Sequence, residues 1–104
     1  MEKHKMITSQ NKIDALLKVG ADALIDSTLS KLIIIQIAKY QNNIKQINSE
    51  LIEFEKKFNM STEECHKKFE SGELGDNGDF FEWIGLYENV LLYKQRIEML
   101  KSTI

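Results

Sequence analysis

The stretch IIIQIAKYQNNIKQINSELIEFEKKF, residues 33–58, decides the fold of this protein. Its apolar residues recur at spacings that alternate four and three, which places them on one stripe of a helix. They are Ile33, Ile37, Tyr40, Ile44, Ile47, Leu51, Phe54 and Phe58. We call this stripe the first seam. A helix rises about 1.5 Å per residue, so the seam is about 40 Å long and requires a partner along its length.

A second seam lies in the C-terminal part of the chain. It consists of Trp83, Leu86, Val90, Tyr93, Ile97, Leu100 and Ile104. A second row lies beside its first half and consists of Phe80, Ile84, Tyr87 and Leu91. Two seams joined by about 20 residues predict a helical hairpin, in which residues 80–104 run antiparallel to residues 33–58. One partner helix cannot cover the second row as well, so that row requires a third helix of the same chain or an oligomer.

The residues between the seams predict a short helix and a turn. Asn59 is suited to end the long helix, and Ser61 with Glu64 matches a capping box that starts the next one. The glycine-rich residues 71–78 cannot stay helical, and Asp79 is expected to cap the last helix. The sequence thus predicts helices at about 28–58, 62–71 and 79–103.

The N-terminal segment, residues 1–27, predicts a short amphipathic helix beside the hairpin of residues 28–104. Ile13, Leu16 and Leu17 form its apolar face, and Gly20 ends it. Helix then resumes at residues 21–25, with a break near residues 27–28 left open. The fold class is therefore all-α, with an oligomer expected.

Composition excludes several functional classes. The 104 residues fit one domain, with 42% hydrophobic residues, 29% charged residues and a net charge of -2. Arg96 is the only arginine, which argues against specific recognition of nucleic acid. The longest apolar run is too short to span a membrane, and no export signal follows the charged N-terminus. The single Cys65 is compatible with a reducing compartment, so a cytoplasmic location is expected.

Catalytic and metal sites are not expected. Cys65 and His66 are neighbours in sequence, and neighbours on a helix point about 100° apart. His4 is isolated from His66, and the loop at residues 76–79 lacks the ligand spacing of a calcium site. The carboxylate pairs, including Glu55, indicate capping or a charged surface. We therefore expect no enzyme activity, no cofactor, no metal and no small-molecule substrate.

A DNA-binding arrangement is the alternative for the N-terminal segment. Residues 6–8 could form a short strand that precedes two helices, as in small dimeric repressors. From residue 6 to residue 31, the strand and the two helices would supply only Lys12, Lys18 and Lys31 as cations for phosphate contacts. The other interpretation is that these residues dock on the long helix or on a second copy.

Aromatic residues give the best signal for a partner-binding site. They concentrate directly after the acidic, glycine-rich turn, and such clusters anchor interfaces as well as cores. The predicted partner-binding residues are Phe81, Trp83, Tyr87, Glu73 and Asp76.

Three segments carry a resemblance to a known family. They are FEKKFNMSTEE at residues 54–64, FESGELGD at residues 69–76 and DFFEW at residues 79–83. Together they resemble small prokaryotic coiled-coil antitoxins, in which an acidic G-E-L-G-D turn leads into F-F-E-W. The resemblance covers about residues 50–88 and is loose over the N-terminal third. It implies that the chain neutralises a co-encoded small toxin by tight binding rather than by turnover.

The sequence therefore predicts a non-enzymatic protein-binding module, with a small toxin or its own copies as partner. An acidic chain suits a basic partner through complementary charge. Two alternatives stay open, a self-assembling coiled-coil scaffold or chaperone-like oligomer, and a DNA-binding autoregulator.

Overall fold

Every regular element in residues 6–104, the part of the chain that this computed structural model describes, is an α-helix. The helices are α1 (Ser9–Lys18), α2 (Asp22–Phe58), α3 (Thr62–Glu70) and α4 (Gly78–Lys101). The all-α prediction is confirmed for this part of the chain. The strand suggested at residues 6–8 is wrong for these three residues, since Thr8 instead precedes α1 as its N-cap. His4 and the charged N-terminus lie outside the described residues.

The chain divides into two compact units whose boundary lies between Ile35 and Gln36, inside α2. We call the described residues up to Ile35 the N-terminal unit and residues 36–104 the C-terminal unit. The sequence interpretation placed its boundary after residue 27. Each unit is described by itself below.

The N-terminal unit consists of α1 and the first turns of α2. Thr8 and Asn11 form a reciprocal capping box at the start of α1. At its end Gly20 adopts φ 80°, and the amides of Gly20 and Ala21 donate to the carbonyls of Leu17 and Leu16, each at 3.0 Å. This is a Schellman motif, which a residue with a Cβ would strain.

Helix α2 runs without interruption from Asp22 to Phe58, so the break left open near residues 27–28 does not occur. Like α1, it ends where a residue near the helix terminus adopts a positive φ. Asn59 adopts φ 50°, and the Met60 amide donates to the Glu55 carbonyl at 3.3 Å. Asparagine tolerates this left-handed conformation better than most residues, which explains why the helix stops here.

The seams that the sequence pattern identified are withdrawn from solvent, and all their residues except Ile33 lie in the C-terminal unit. All eight residues of the first seam are buried or half-buried, and so are six of the seven residues of the second seam. The exception is Ile104, which follows the end of α4 and is exposed. The seam pattern therefore predicted correctly which faces of these helices are withdrawn from solvent.

Ring contacts join α2 to α4. Phe58 contacts Phe80 with ring centroids 4.8 Å apart, Phe54 stacks on Trp83 at 5.6 Å, and Tyr40 stacks on Tyr93 at 5.2 Å. At the end of α2, the Lys57 ammonium lies 2.7 Å from the Asp79 carboxylate. Aromatic pairs at these separations stabilise a core beyond the area that they bury.

Helix α3 packs against part of the second row of α4. Its His66 meets Tyr87 edge-on at 5.2 Å, and Cys65 is fully buried in the same core as Ile84, whereas Leu91 of the row stays exposed. Beside the row, Phe69 meets Phe81 edge-on at 5.4 Å. The third helix that the second row required is therefore supplied by the same chain, at least over this part of α4.

The helix caps differ in detail from the predicted ones. Ser61 accepts the amide of Glu64 at 3.1 Å, but the Glu64 carboxylate lies 3.6 Å from Lys68, so only half of the capping box forms. Asn77, rather than Asp79, caps α4 by accepting the Asp79 amide at 2.9 Å. The predicted role of Asp79 is thus corrected, since its carboxylate pairs with Lys57.

Candidate protein-binding surfaces

Trp83, which the sequence placed in the partner-binding set, belongs to the core. Its side chain is 0% exposed and stacks on the rings of Phe54 and Phe58. Its indole Nε1 donates a hydrogen bond to the Thr62 hydroxyl at 3.0 Å. The partner-binding role predicted for Trp83 is therefore corrected, because this side chain presents no surface to a partner.

Phe81 and Tyr87 retain some surface. Phe81 is 54% exposed beside Phe69, whereas Tyr87 is half-buried and meets the His66 ring edge-on at 5.2 Å. Both rings thus contribute to the contact between α3 and α4. Of the predicted aromatic set, Phe81 offers the largest area for recognition.

Glu73 and Asp76 lie in the exposed turn between α3 and α4. Gly72 and Gly75 adopt φ 79° and 71° in this turn, which sets its course. Among the described residues neither carboxylate forms a side-chain hydrogen bond or an ion pair with another side chain. Both carboxylates therefore remain accessible to a cationic partner.

Glu55, Thr62 and Trp83, which all belong to the motif segments, are joined by a chain of hydrogen bonds. Glu55 accepts hydrogen bonds from the Thr62 amide at 2.8 Å and from the Thr62 hydroxyl at 3.0 Å, and that hydroxyl in turn accepts from Trp83. Sequence reasoning assigned Glu55 to capping or to a charged surface. Glu55 is half-buried rather than on the surface. Its hydrogen bonds to Thr62 join the end of α2 to the start of α3, and the bond from Trp83 to Thr62 joins both to α4.

Cys65 and His66 do not form a nucleophile and base pair. Burial raises the pKa of the Cys65 thiol above its ordinary value, so the protonated, weakly nucleophilic form is favoured. His66 lies against Tyr87, and its Nε2 is 3.4 Å from a Glu70 carboxylate oxygen. The two side chains therefore have separate surroundings.

An apolar groove occupies the N-terminal unit, and we call it the N-terminal groove. It has a volume of about 470 Å³ and lies between α1 and the first turns of α2. Its lining residues are Ser9, Lys12, Ile13, Leu16, Leu24, Ile25, Thr28, Leu29 and Leu32. Six of these nine residues are apolar, so the groove can accept apolar side chains of another protein.

Large apolar residues of the N-terminal unit are exposed outside the N-terminal groove as well. Within residues 6–35 no side chain is buried, and Leu24 is 61% exposed. Further large apolar residues are exposed at Met6, Ile7, Leu17, Val19, Ile34 and Ile35. The spacing of residues 24–33 predicted a helix with an apolar face, but it could not tell whether that face is covered.

His66, Glu70 and Glu88 form a cluster that sequence reasoning missed. Their potential ligand atoms lie within 4.8 Å of one another, although the sequence predicted no metal ligands. The spacing of His66 and Glu70, one helical turn apart, was a visible signal. Glu88 lies on α4, and spacing along the sequence does not predict that it is close to His66 and Glu70 of α3.

In residues 6–104 no helix combines the length and apolar character needed to cross a membrane. Comparison with protein families, with curated proteins and with solved structures finds no match to this chain.

Proposed function

We propose that this chain is a non-enzymatic protein-binding module whose N-terminal groove and adjoining apolar residues bind the partner. The observation that carries the proposal is the absence of any buried side chain in residues 6–35 despite their many large apolar residues. Apolar residues that line one open groove, as Ile13, Leu16 and Leu24 do, commonly mark a site where another molecule binds. Binding of a protein would withdraw this surface from water.

The same proposal assigns a scaffold role to the C-terminal unit as an antiparallel helical hairpin. Its support is the reversed order of the ring contacts, since later residues of α2 contact earlier residues of α4. Phe58 with Phe80, Phe54 with Trp83 and Tyr40 with Tyr93 follow this order. The C-terminal unit would then supply stability, and the N-terminal unit would supply the binding surface.

The partner class that the motif resemblance implies is a co-encoded small toxin, which makes the chain an antitoxin in the cytoplasm. The exposed acidic turn with Glu73 and Asp76 suits a basic partner. Such a protein would act by occupying the toxin's surface rather than by turning over a substrate.

A self-assembling scaffold is the second candidate, and the same apolar surface favours it. Two copies that each contribute an uncovered N-terminal groove would bury one surface against the other without any second gene product. The chain would then be a homo-oligomer.

Matched charge substitutions at exposed apolar positions test the proposal. Leu24→Asp alters the N-terminal groove, Phe81→Asp alters the predicted aromatic site, and Met99→Asp is the control, with exposures of 61%, 54% and 63%. Binding to the product of the adjacent reading frame is measured by titration calorimetry, and self-association by light scattering over a range of concentrations.

We expect Leu24→Asp to abolish binding or association and Met99→Asp to preserve it. A monomer that binds the neighbouring product supports the antitoxin, and an oligomer that Leu24→Asp dissociates supports the scaffold. Loss of binding only in Phe81→Asp would move the surface to α4. Wild-type protein that neither associates nor binds would reject both candidates.

A further inference from the structure

We propose that His66, Glu70 and Glu88 form a binding site for a divalent transition-metal ion of the Zn²⁺ class. The three side chains bring one imidazole and two carboxylates from two helices to within 4.8 Å of one another. This site is independent of the proposed protein-binding surface in the N-terminal unit.

The distances are close to those that a metal ion requires. Zn²⁺ binds nitrogen and oxygen at about 2.0–2.2 Å, so ligand atoms around a tetrahedral ion are about 3.3–3.6 Å apart. His66 Nε2 and a Glu70 oxygen are already 3.4 Å apart. Glu88 is exposed, and rotation about its side-chain bonds can bring its carboxylate the remaining distance.

Helix packing holds one of the ligands, His66, before any ion arrives. His66 and Glu70 lie one turn apart on α3, which places both side chains on one face. The contact of His66 with Tyr87 and the contact of Phe69 with Phe81 hold this face against α4. The His66 imidazole is therefore partly ordered in advance, which favours affinity, whereas the exposed carboxylates of Glu70 and Glu88 become ordered on binding.

Electrostatics at the cluster favours a cation. Glu70 is the last residue of α3, where the helix dipole disfavours a negative charge. In the described part of the chain, neither Glu70 nor Glu88 pairs with a lysine or arginine. A divalent ion would balance the two carboxylates and would also interact favourably with the carboxyl end of the helix.

The ligand set indicates the class of ion. An imidazole with two carboxylates suits Zn²⁺ and similar ions, whereas Ca²⁺ and Mg²⁺ prefer oxygen ligands only. Three protein ligands leave a fourth position for water. The buried thiol of Cys65 belongs to the core and is not one of these ligands.

Zinc titration of the full-length chain without an affinity tag tests the site, in a His4→Gln background so that His66 is the only histidine. Calorimetry gives Kd and stoichiometry, and thermal unfolding gives the rise in Tm with zinc concentration, because an ion that binds only the folded state stabilises it. The variants are His66→Gln and Glu88→Gln. The controls are Glu82→Gln, an exposed carboxylate on α4, and Cys65→Ala.

We expect one Zn²⁺ per chain, with at least about tenfold weaker binding in His66→Gln and Glu88→Gln. Both controls should bind as the background protein does. Since Glu88 is exposed, Glu88→Gln should fold normally, which circular dichroism verifies. Absence of saturable binding, equal binding by Glu88→Gln, or loss of binding only in Cys65→Ala would overturn the assignment.

Discussion

The two units of this chain use the same helical periodicity but bury it to different extents. In the N-terminal unit, residues 6–35 contain no buried side chain. In the C-terminal unit, aromatic residues of α2 and α4 stack, and α3 adds Cys65 and Phe69 to the same core. A three- and four-residue spacing therefore specifies a helix with an apolar face, and the elements that meet that face determine whether a core forms.

The difference follows from what each unit has available. A unit of about 30 residues with two short helical segments cannot enclose a side chain on all sides. The C-terminal unit has a third helix, α3, and its largest fully buried side chain, Trp83, has a hydrogen-bond partner for its polar atom. The contrast predicts that stability resides in the C-terminal unit, whereas the N-terminal unit is specialised for binding.

The largest expected effect is that of Trp83→Ala. Removing a fully buried indole should lower the free energy of unfolding by about 3–5 kcal/mol, through lost burial and the cavity left beside Phe54 and Phe58. The matched change in the N-terminal unit, Leu24→Ala, should cost less than about 0.5 kcal/mol. Urea unfolding followed by circular dichroism compares them, and equal losses would contradict the division.

Thr62→Val should have the next largest effect. It keeps the shape of the side chain but removes the hydroxyl that joins Trp83 to Glu55, leaving the indole N–H buried without an acceptor. We expect a loss of about 1–3 kcal/mol in the free energy of unfolding. Thr62→Ser keeps the hydroxyl and serves as control. If both variants unfold at the same urea concentration, the hydrogen bonds are not responsible.

The titration of Cys65 should have a smaller effect on the C-terminal unit. Burial raises the pKa of its thiol above the ordinary 9.0, so above that pH the unfolded chain loses the proton first. The stability that the folded protein gains from keeping this thiol protonated is therefore fully present below pH 9.0 and is lost as the pH rises through the raised pKa. Urea unfolding at neutral and alkaline pH measures this effect. Between the two pH values the free energy of unfolding should fall further for wild type than for Cys65→Ala, and an equal fall in both proteins would contradict the prediction.

Features that depend on neighbouring residues could be predicted from the sequence, whereas contacts between distant segments could not. The seams, the helical class and the end of α2 at Asn59 follow from local chemistry, namely spacing and backbone preference. The buried chain of Glu55, Thr62 and Trp83 does not, because its members come from three segments. The same holds for Glu88 beside His66. Contacts between distant segments depend on the rotation of each helix about its axis, which spacing alone leaves undetermined.

Partner-binding residues were harder to predict for a related reason. The aromatic cluster of α4 was a correct sign of energetic importance, but Trp83 serves the core rather than the surface. Aromatic residues anchor cores and interfaces by the same physics. The type of residue therefore does not separate the exposed Phe81 from the buried Trp83, which packs on Phe54 and Phe58 of α2.

The smallest effect on global stability is expected from Gly20→Ala, which tests whether the two units unfold separately. Gly20 has φ 80°, and a Cβ added there meets no atom within 4 Å, so the cost comes from backbone strain alone, about 1–2 kcal/mol. That cost should appear as faster amide hydrogen exchange in α1, with less than about 0.5 kcal/mol lost from the urea unfolding of the C-terminal unit. Gly78→Ala is the matched control, since its added Cβ also meets nothing and its φ is not positive. Should Gly20→Ala lower global stability by the whole strain energy, the two units unfold as one, because the continuous α2 then transmits the loss from one to the other.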